Sequence, residues 1–206
     1  MTRAGHHARA SPSSIMIARF CVESLKRAPG GSAAHPGGTD GHVAAGERMN
    51  GAVRAAQAAD VPAMADLAER RRVEHQRFLP TFWRKAADSR ARQLPYFERL
   101  VGSEDHIALV YERAGALAGF ILGALIPAPP VYDPGGLTCL VDDFTVAAAE
   151  SWELVGSALL RAVRQEARRR GAVQLVVVCA HLDRPKRAML RSSGFSLASE
   201  WHVGDV

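Results

Sequence analysis

The sequence has no apolar run approaching the roughly 18 residues that a membrane-spanning helix requires. Its longest candidate, from Leu117 to Pro130, is interrupted by Gly119 and Gly123 and ends in Pro-Ala-Pro-Pro. Cysteine is scarce: Cys21, Cys139 and Cys179 are odd in number and form no Cys-x-x-Cys pair. A disulfide scaffold is thereby excluded, and a reducing, cytoplasmic compartment is expected. No internal repeat is present, and no group of His, Cys or carboxylate residues has the spacing of metal ligands. What remains is a chain of 206 residues, 48% hydrophobic and 23% charged. That is enough for one compact domain and a tail, and not comfortably for two domains.

The formal net charge of +5 invites a nucleic-acid reading, but its distribution weakens it. From Met49 onward twenty Lys/Arg face eighteen Asp/Glu, so the excess sits largely in the first 48 residues. The runs Arg70-Arg71-Arg72 and Arg168-Arg169-Arg170 fall inside helical patterns with apolar residues opposite, as solvated helix faces do. Residues 1–48 hold seven glycines, three prolines and four of the eight histidines, with one short apolar run from Ile15 to Leu25. Such a segment cannot bury enough surface to offset its ordering entropy, so a disordered tail is expected, or a mis-assigned start with translation beginning at Met49. A transit peptide and a basic arm are the alternatives. The domain is placed at residues 49–206.

Alternation from Ala52 to Gln57 predicts a short strand, and Ala59-Asp60-Val61-Pro62 opens a helix to about Arg72. A second helical region from Phe78 to Val101 is broken at Pro80 and Pro95 and carries Phe78, Phe82, Trp83, Tyr96 and Phe97. These aromatics are read as core, or as the wall of a substrate site. Two apolar runs, Ile107 to Tyr111 and Leu117 to Ile126, flank a turn and predict an antiparallel hairpin. After a Pro/Gly-rich loop, Leu137 to Val146 predicts a long strand, Trp152 to Arg170 an amphipathic helix ending at Gly171, and Val173 to Cys179 a strand covered on both faces. A short helix from Arg184 to Ser193 and a final strand from Phe195 to Val203 complete the order. The fold class is a mixed-sheet α/β architecture with a right-handed parallel crossover at its centre.

In such a crossover the helix points its amino end at the carboxyl end of the preceding strand, where free N–H groups receive an anion. The segment Val146 to Leu160 occupies that place, with small residues at Gly156 and Ser157. Asp142 and Asp143 are paired carboxylates inside the otherwise apolar strand before it. Because successive strand residues point to opposite faces, only one of the two is expected to lie on a given face of the sheet. Cys179 is read as a buried strand thiol rather than a nucleophile.

The run Leu140-Val141-Asp142-Asp143-Phe144-Thr145-Val146, followed ten residues later by Gly156-Ser157-Ala158-Leu159-Leu160, resembles the GCN5-related N-acetyltransferase (GNAT) superfamily. So does Ala188 to Phe195, a helix closing in Gly-Phe, and the resemblance spans about residues 50 to 203. Of the three signature positions of the family's turn, on Ser151, Leu154 and Gly156, the last is kept. The resemblance implies a mostly antiparallel twisted sheet with flanking helices, and acetyl-CoA as co-substrate between the strands that start at 137 and 173. Phe144, Thr145, Val146, Ser151, Trp152, Glu153, Leu154, Val155, Gly156 and Ser157 would hold it, with the diphosphate on N–H groups of residues 152 to 157. Glu150 and Glu153 place like charge near that diphosphate, and Leu154 adds bulk there. The implied activity is N-acetyl transfer to a primary amine of a small molecule or protein. Asp142 is the first choice of base and Asp143 the second. Leu190 stands where many members carry the tyrosine that protonates the departing thiolate, and Pro185 replaces an asparagine. His181 or water is the substitute acid. A homodimer is in keeping with the resemblance; a membrane is not expected as partner, nor a nucleic acid. The alternative function is a non-catalytic module of the same fold that binds CoA or a partner as a sensor.

Overall fold

The structure is a computed structural model that describes residues 51–128 and 131–205. The tail at 1–48, and with it Cys21, lies outside the described residues, as does part of the Pro/Gly loop. Five strands, β1 (Ala52–Ala55), β2 (His106–Arg113), β3 (Ala116–Ile126), β4 (Leu137–Val146) and β5 (Ala172–Val177), form one sheet in that order. All neighbours are antiparallel except β4 and β5, which are parallel. Among the described residues four α-helices flank the sheet: α1 (Val61–Phe78), α2 (Ser89–Leu100), α3 (Ser157–Arg169) and α4 (Arg184–Ser192). This is the mixed architecture expected. None of the described helices is long and apolar enough to cross a membrane.

Local chemistry explains the elements. Pro62 lies in the first turn of α1, where the missing N–H costs nothing. Asp60 precedes it, but its carboxylate turns back to accept from the Gln57 N–H and the Arg54 guanidinium instead of capping the helix. The β2–β3 turn places Ala114 and Gly115 at φ 52° and 76°, the left-handed pair that suits a tight hairpin. Two apolar clusters sandwich the sheet. Val61, Met64, Leu67, Phe97 and Leu100 pack on Val110, Phe120 and Leu122 on the α1/α2 face. Val155, Leu159, Leu160, Val163 and Met189 pack on Ile121, Val141 and Phe144 on the α3/α4 face.

Several expectations are corrected. The first helix runs on to Phe78, and turns replace helix between it and Ser89, while Pro95 lies inside α2. The third helix does not start at Trp152: a 3₁₀ turn (Ala149–Ser151) and a π turn (Trp152–Gly156) lead into it. β5 is an edge strand rather than one covered on both faces, with Val173 54% and Val176 41% exposed. The final strand does not form; Phe195 to Val203 is irregular, and Leu197, Trp201 and Val203 are exposed. Alternation marks a segment able to pair, but pairing needs an edge brought alongside it, which local pattern does not supply.

Candidate active site

The two carboxylates owe their position to a register change. Ile121 pairs with Phe144 and Gly123 with Val141, so Asp142 and Asp143 together oppose Leu122. Two residues against one is a β-bulge, which re-aims side chains. Leu122 belongs to the α1/α2 cluster, whereas Val141 and Phe144 belong to the opposite one. Both aspartates therefore fall on the α1/α2 side, where simple alternation had put only one. Gln93 Nε2 of α2 donates to Asp143 Oδ1 at 3.4 Å. Burial raises the Asp143 carboxyl above its ordinary range, against the pull of Arg72, Lys186 and Gln93. Tyr96, also on α2, has its phenol pushed up to about 12 by burial and by the charges of Asp143 and Asp142.

Beside the bulge the parallel pair comes apart. The ladder runs from Leu137 opposite Ala172 to Val141 opposite Val177, and the Val178 N–H to the Val141 carbonyl, at 2.9 Å, continues it by one bond. Past that point β4 and the chain after β5 diverge, and Lys186 of α4 reaches into the fork. Its Nζ donates to the Phe144 carbonyl at 3.2 Å and the Val178 carbonyl at 2.9 Å. It also lies 5.0 Å from the Phe144 ring centre and 5.4 Å from that of Trp152, within cation–π range. Lys186 is 4% exposed, and burial brings its ammonium down to about 8. The far half of α1 covers the fork: Arg71 pairs with Asp183, itself 1% exposed, and lies 5.6 Å from the Trp152 ring. His75 packs on Trp83 and is held down to about 3 by burial and by Arg71, Lys186 and Arg72. Asp183 also caps α4, accepting from the Lys186 N–H.

The turn expected to present free amides is wound. The Ser151 N–H bonds to Ala148, the Trp152 N–H to Ala149, and the Ser157 N–H to Leu154 and Trp152. Trp152 is 2% exposed, edge-on to Phe144, and a Cβ on Gly156 would come within 2.7 Å of its ring. Any side chain at 156 would collide with that ring, so the position suits glycine. Thr145, Val146 and Val155 are buried with Phe144, Ser151 and Ser157 are partly buried, and Glu150, Glu153 and Leu154 are exposed. His181 is exposed in the turn before α4, its carbonyl accepting from Arg187. The Cys179 thiol is raised by burial. Among the described residues, no group of three His, Cys, Asp or Glu converges as a metal site would.

Sequence reasoning missed Lys186, Arg71, Asp183 and Gln93. Lys186 had a signal: it shares the buried stripe of α4 with Met189 and Leu190, three and four residues on, so a lysine stands where an apolar residue is due.

No protein-family model and no curated protein sequence matches the chain. Solved structures do. A predicted acetyltransferase with acetyl-CoA from Clostridium acetobutylicum superposes with TM-score 0.59 at 16% identity, over 75% of this chain and 96% of its own. Glucosamine-6-phosphate N-acetyltransferase from Arabidopsis thaliana gives 0.56 at 13%, over 76% and 98%. A transcriptional regulator from Bacillus halodurans gives 0.56 at 14%, over 76% and 100%.

Proposed function

We propose that this chain, which carries the GCN5-related N-acetyltransferase fold, is a cytoplasmic N-acetyltransferase that moves an acetyl group from acetyl-CoA to a primary amine. The observation that carries the reading is the bulge, which sets two carboxylates on one face beside the parted strands. The fork fits a pantetheine-like arm: the carbonyls of Phe144 and Val178, each with a second lone pair beside its bond to Lys186, are acceptors. Bound there, acetyl-CoA supplies an activated acyl group as a thioester.

An amine arrives as an ammonium and becomes a nucleophile on losing a proton, which Asp143 takes. Its raised pKa suits that task better than an ordinary carboxylate. Gln93 holds the carboxylate in place, and Asp142 adds negative charge that favours a cationic acceptor. The aromatic segment of Phe78, Phe82 and Trp83 together with Tyr96 shapes the acceptor's approach. The test is release of CoA thiol across a panel of primary amines, with Asp143→Asn alongside. Amine-dependent release that the substitution abolishes supports the reading; release independent of amine, or unchanged by the substitution, counts against it.

Trp152 and Lys186 filling the helix start and the fork favour a second reading, a non-catalytic module that senses CoA or a partner. Binding of acetyl-CoA without transfer to any amine would favour that reading.

A further inference from the structure

The buried lysine in the fork has no part in the chemistry set out above. An ammonium has three N–H donors, and two of them are taken by the carbonyls of Phe144 and Val178. The third is left for whatever enters between the strands. On α4, Lys186 lies one turn before Leu190, on the same buried face. Leu190 is the position left without an acidic side chain, and Lys186 delivers a proton-bearing group to the fork from the turn before it. The Asp183 cap and the flanking rings of Phe144 and Trp152 fix the side chain. We propose that Lys186 is the general acid of the transfer, handing its third proton to the sulfur as the thioester bond breaks.

The inference rests on the acetyltransferase reading and deepens it. The neutral amine forms its bond to the acyl carbon, the carbon–sulfur bond breaks, and the electron pair goes to sulfur. Lys186 protonates that sulfur, leaving CoA thiol and a neutral lysine. The second proton shed by the amine nitrogen as the amide forms, or one from water, restores the ammonium. A group holding its proton to about pH 8 is well matched to a thiolate, since Brønsted behaviour favours similar pKa values.

Charged and titratable groups face Lys186 from every element around it. From α1 these are Arg71, Arg72 and His75, the last held down to about 3. From β4 they are Asp142 and Asp143, from the β5–α4 connection Cys179, raised by burial, and from the cap Asp183. The acid must carry its proton to act, so kcat is expected to fall above about pH 8 in the wild type.

Lys186→Met keeps an apolar stem against the two rings and removes the proton. Its kcat is expected to drop about a hundredfold, at the low end for general acid catalysis, and the fall above pH 8 to disappear, with the Kd for acetyl-CoA within threefold of wild type. Lys186→Arg keeps charge and donors but cannot release a proton near neutrality, so it should not rescue turnover. A readout independent of turnover is available because lysine occurs only at 26, 85 and 186. The ¹⁵Nζ resonance of Lys186, assigned with the arginine variant, should titrate near pH 8 and move its midpoint upward when CoA thiol is bound. The proposal is overturned by near-wild-type turnover in Lys186→Met, by rescue in Lys186→Arg, or by a resonance that ignores bound CoA. Should the methionine variant not fold, a flat wild-type profile above pH 8 overturns it equally. If the wild type binds neither acetyl-CoA nor CoA, the acetyltransferase reading itself fails and the proposal falls with it.

Discussion

The two halves of the β4–β5 pair are built from opposite materials. From Leu137 to Val141 the strands are laddered with one register shift after Leu137, backed by Leu159, Val163 and Ala167, and joined across the pair by Gln174 Nε2 donating to Thr138 Oγ1 at 2.7 Å. From Asp142 to Val146 the ladder is gone, and charge holds the gap: Lys186 on two carbonyls, Arg71 on Asp183, and a pair of aspartates on the far face. The closed half pays nothing for solvation and is stable by packing; the open half carries desolvated charge, which only persists when each group is paired. Desolvated charge of this kind, set beside a well-packed half, is what the proposed acetyl transfer would draw on.

That contrast is broken most severely at Asp183. Replacing it with alanine removes the α4 cap and leaves Arg71 buried without its partner, at a cost of about 3–5 kcal/mol read by urea unfolding. Asp143→Asn comes next: turnover is expected to fall about a hundredfold, equivalent to about 2.7 kcal/mol, while the urea midpoint changes little. In the closed half, Gly123→Ala would drive a methyl to within 2.6 Å of the Cys139 sulfur, with Val163 and Val141 behind it, so overpacking of about 1–3 kcal/mol is expected. Smallest is Glu166→Gln, at the foot of that half. Arg169 and Arg170 hold the Glu166 carboxyl down to about 2, below its ordinary 4.5. A depressed carboxyl stabilises the fold above the unfolded value and loses that contribution as the pH falls towards about 2. The glutamine variant should flatten the wild-type decline in stability between pH 4.5 and 2.

The closed half was also the legible one. Apolar runs at Leu137 to Val141 and Val173 to Val177, and the helical spacing of Leu159, Val163 and Ala167, state their elements locally, and the structure forms them, although the second run is an exposed edge rather than a strand covered on both faces. The bulge was not legible, because it is a relation between β3 and β4 rather than a property of either strand; it put Asp142 and Asp143 on one side instead of two. Trp152, expected at the start of the helix among the residues holding acetyl-CoA, is buried against Phe144, with glycine at 156 leaving room for its ring. The irregular end from Phe195 shows the converse, an alternating segment with no partner edge.

The central claim is that the fork beside the bulge admits acetyl-CoA, and thermal unfolding in its presence tests that most directly. A ligand at a hundred times its Kd stabilises the native state by about 2.7 kcal/mol, which for a chain of this size is about 5–10 °C in Tm. At about 1 mM acetyl-CoA a rise of that order is expected for a site with a Kd of about 10 μM. No rise at all would contradict it, leaving a fold whose fork is filled by its own lysine.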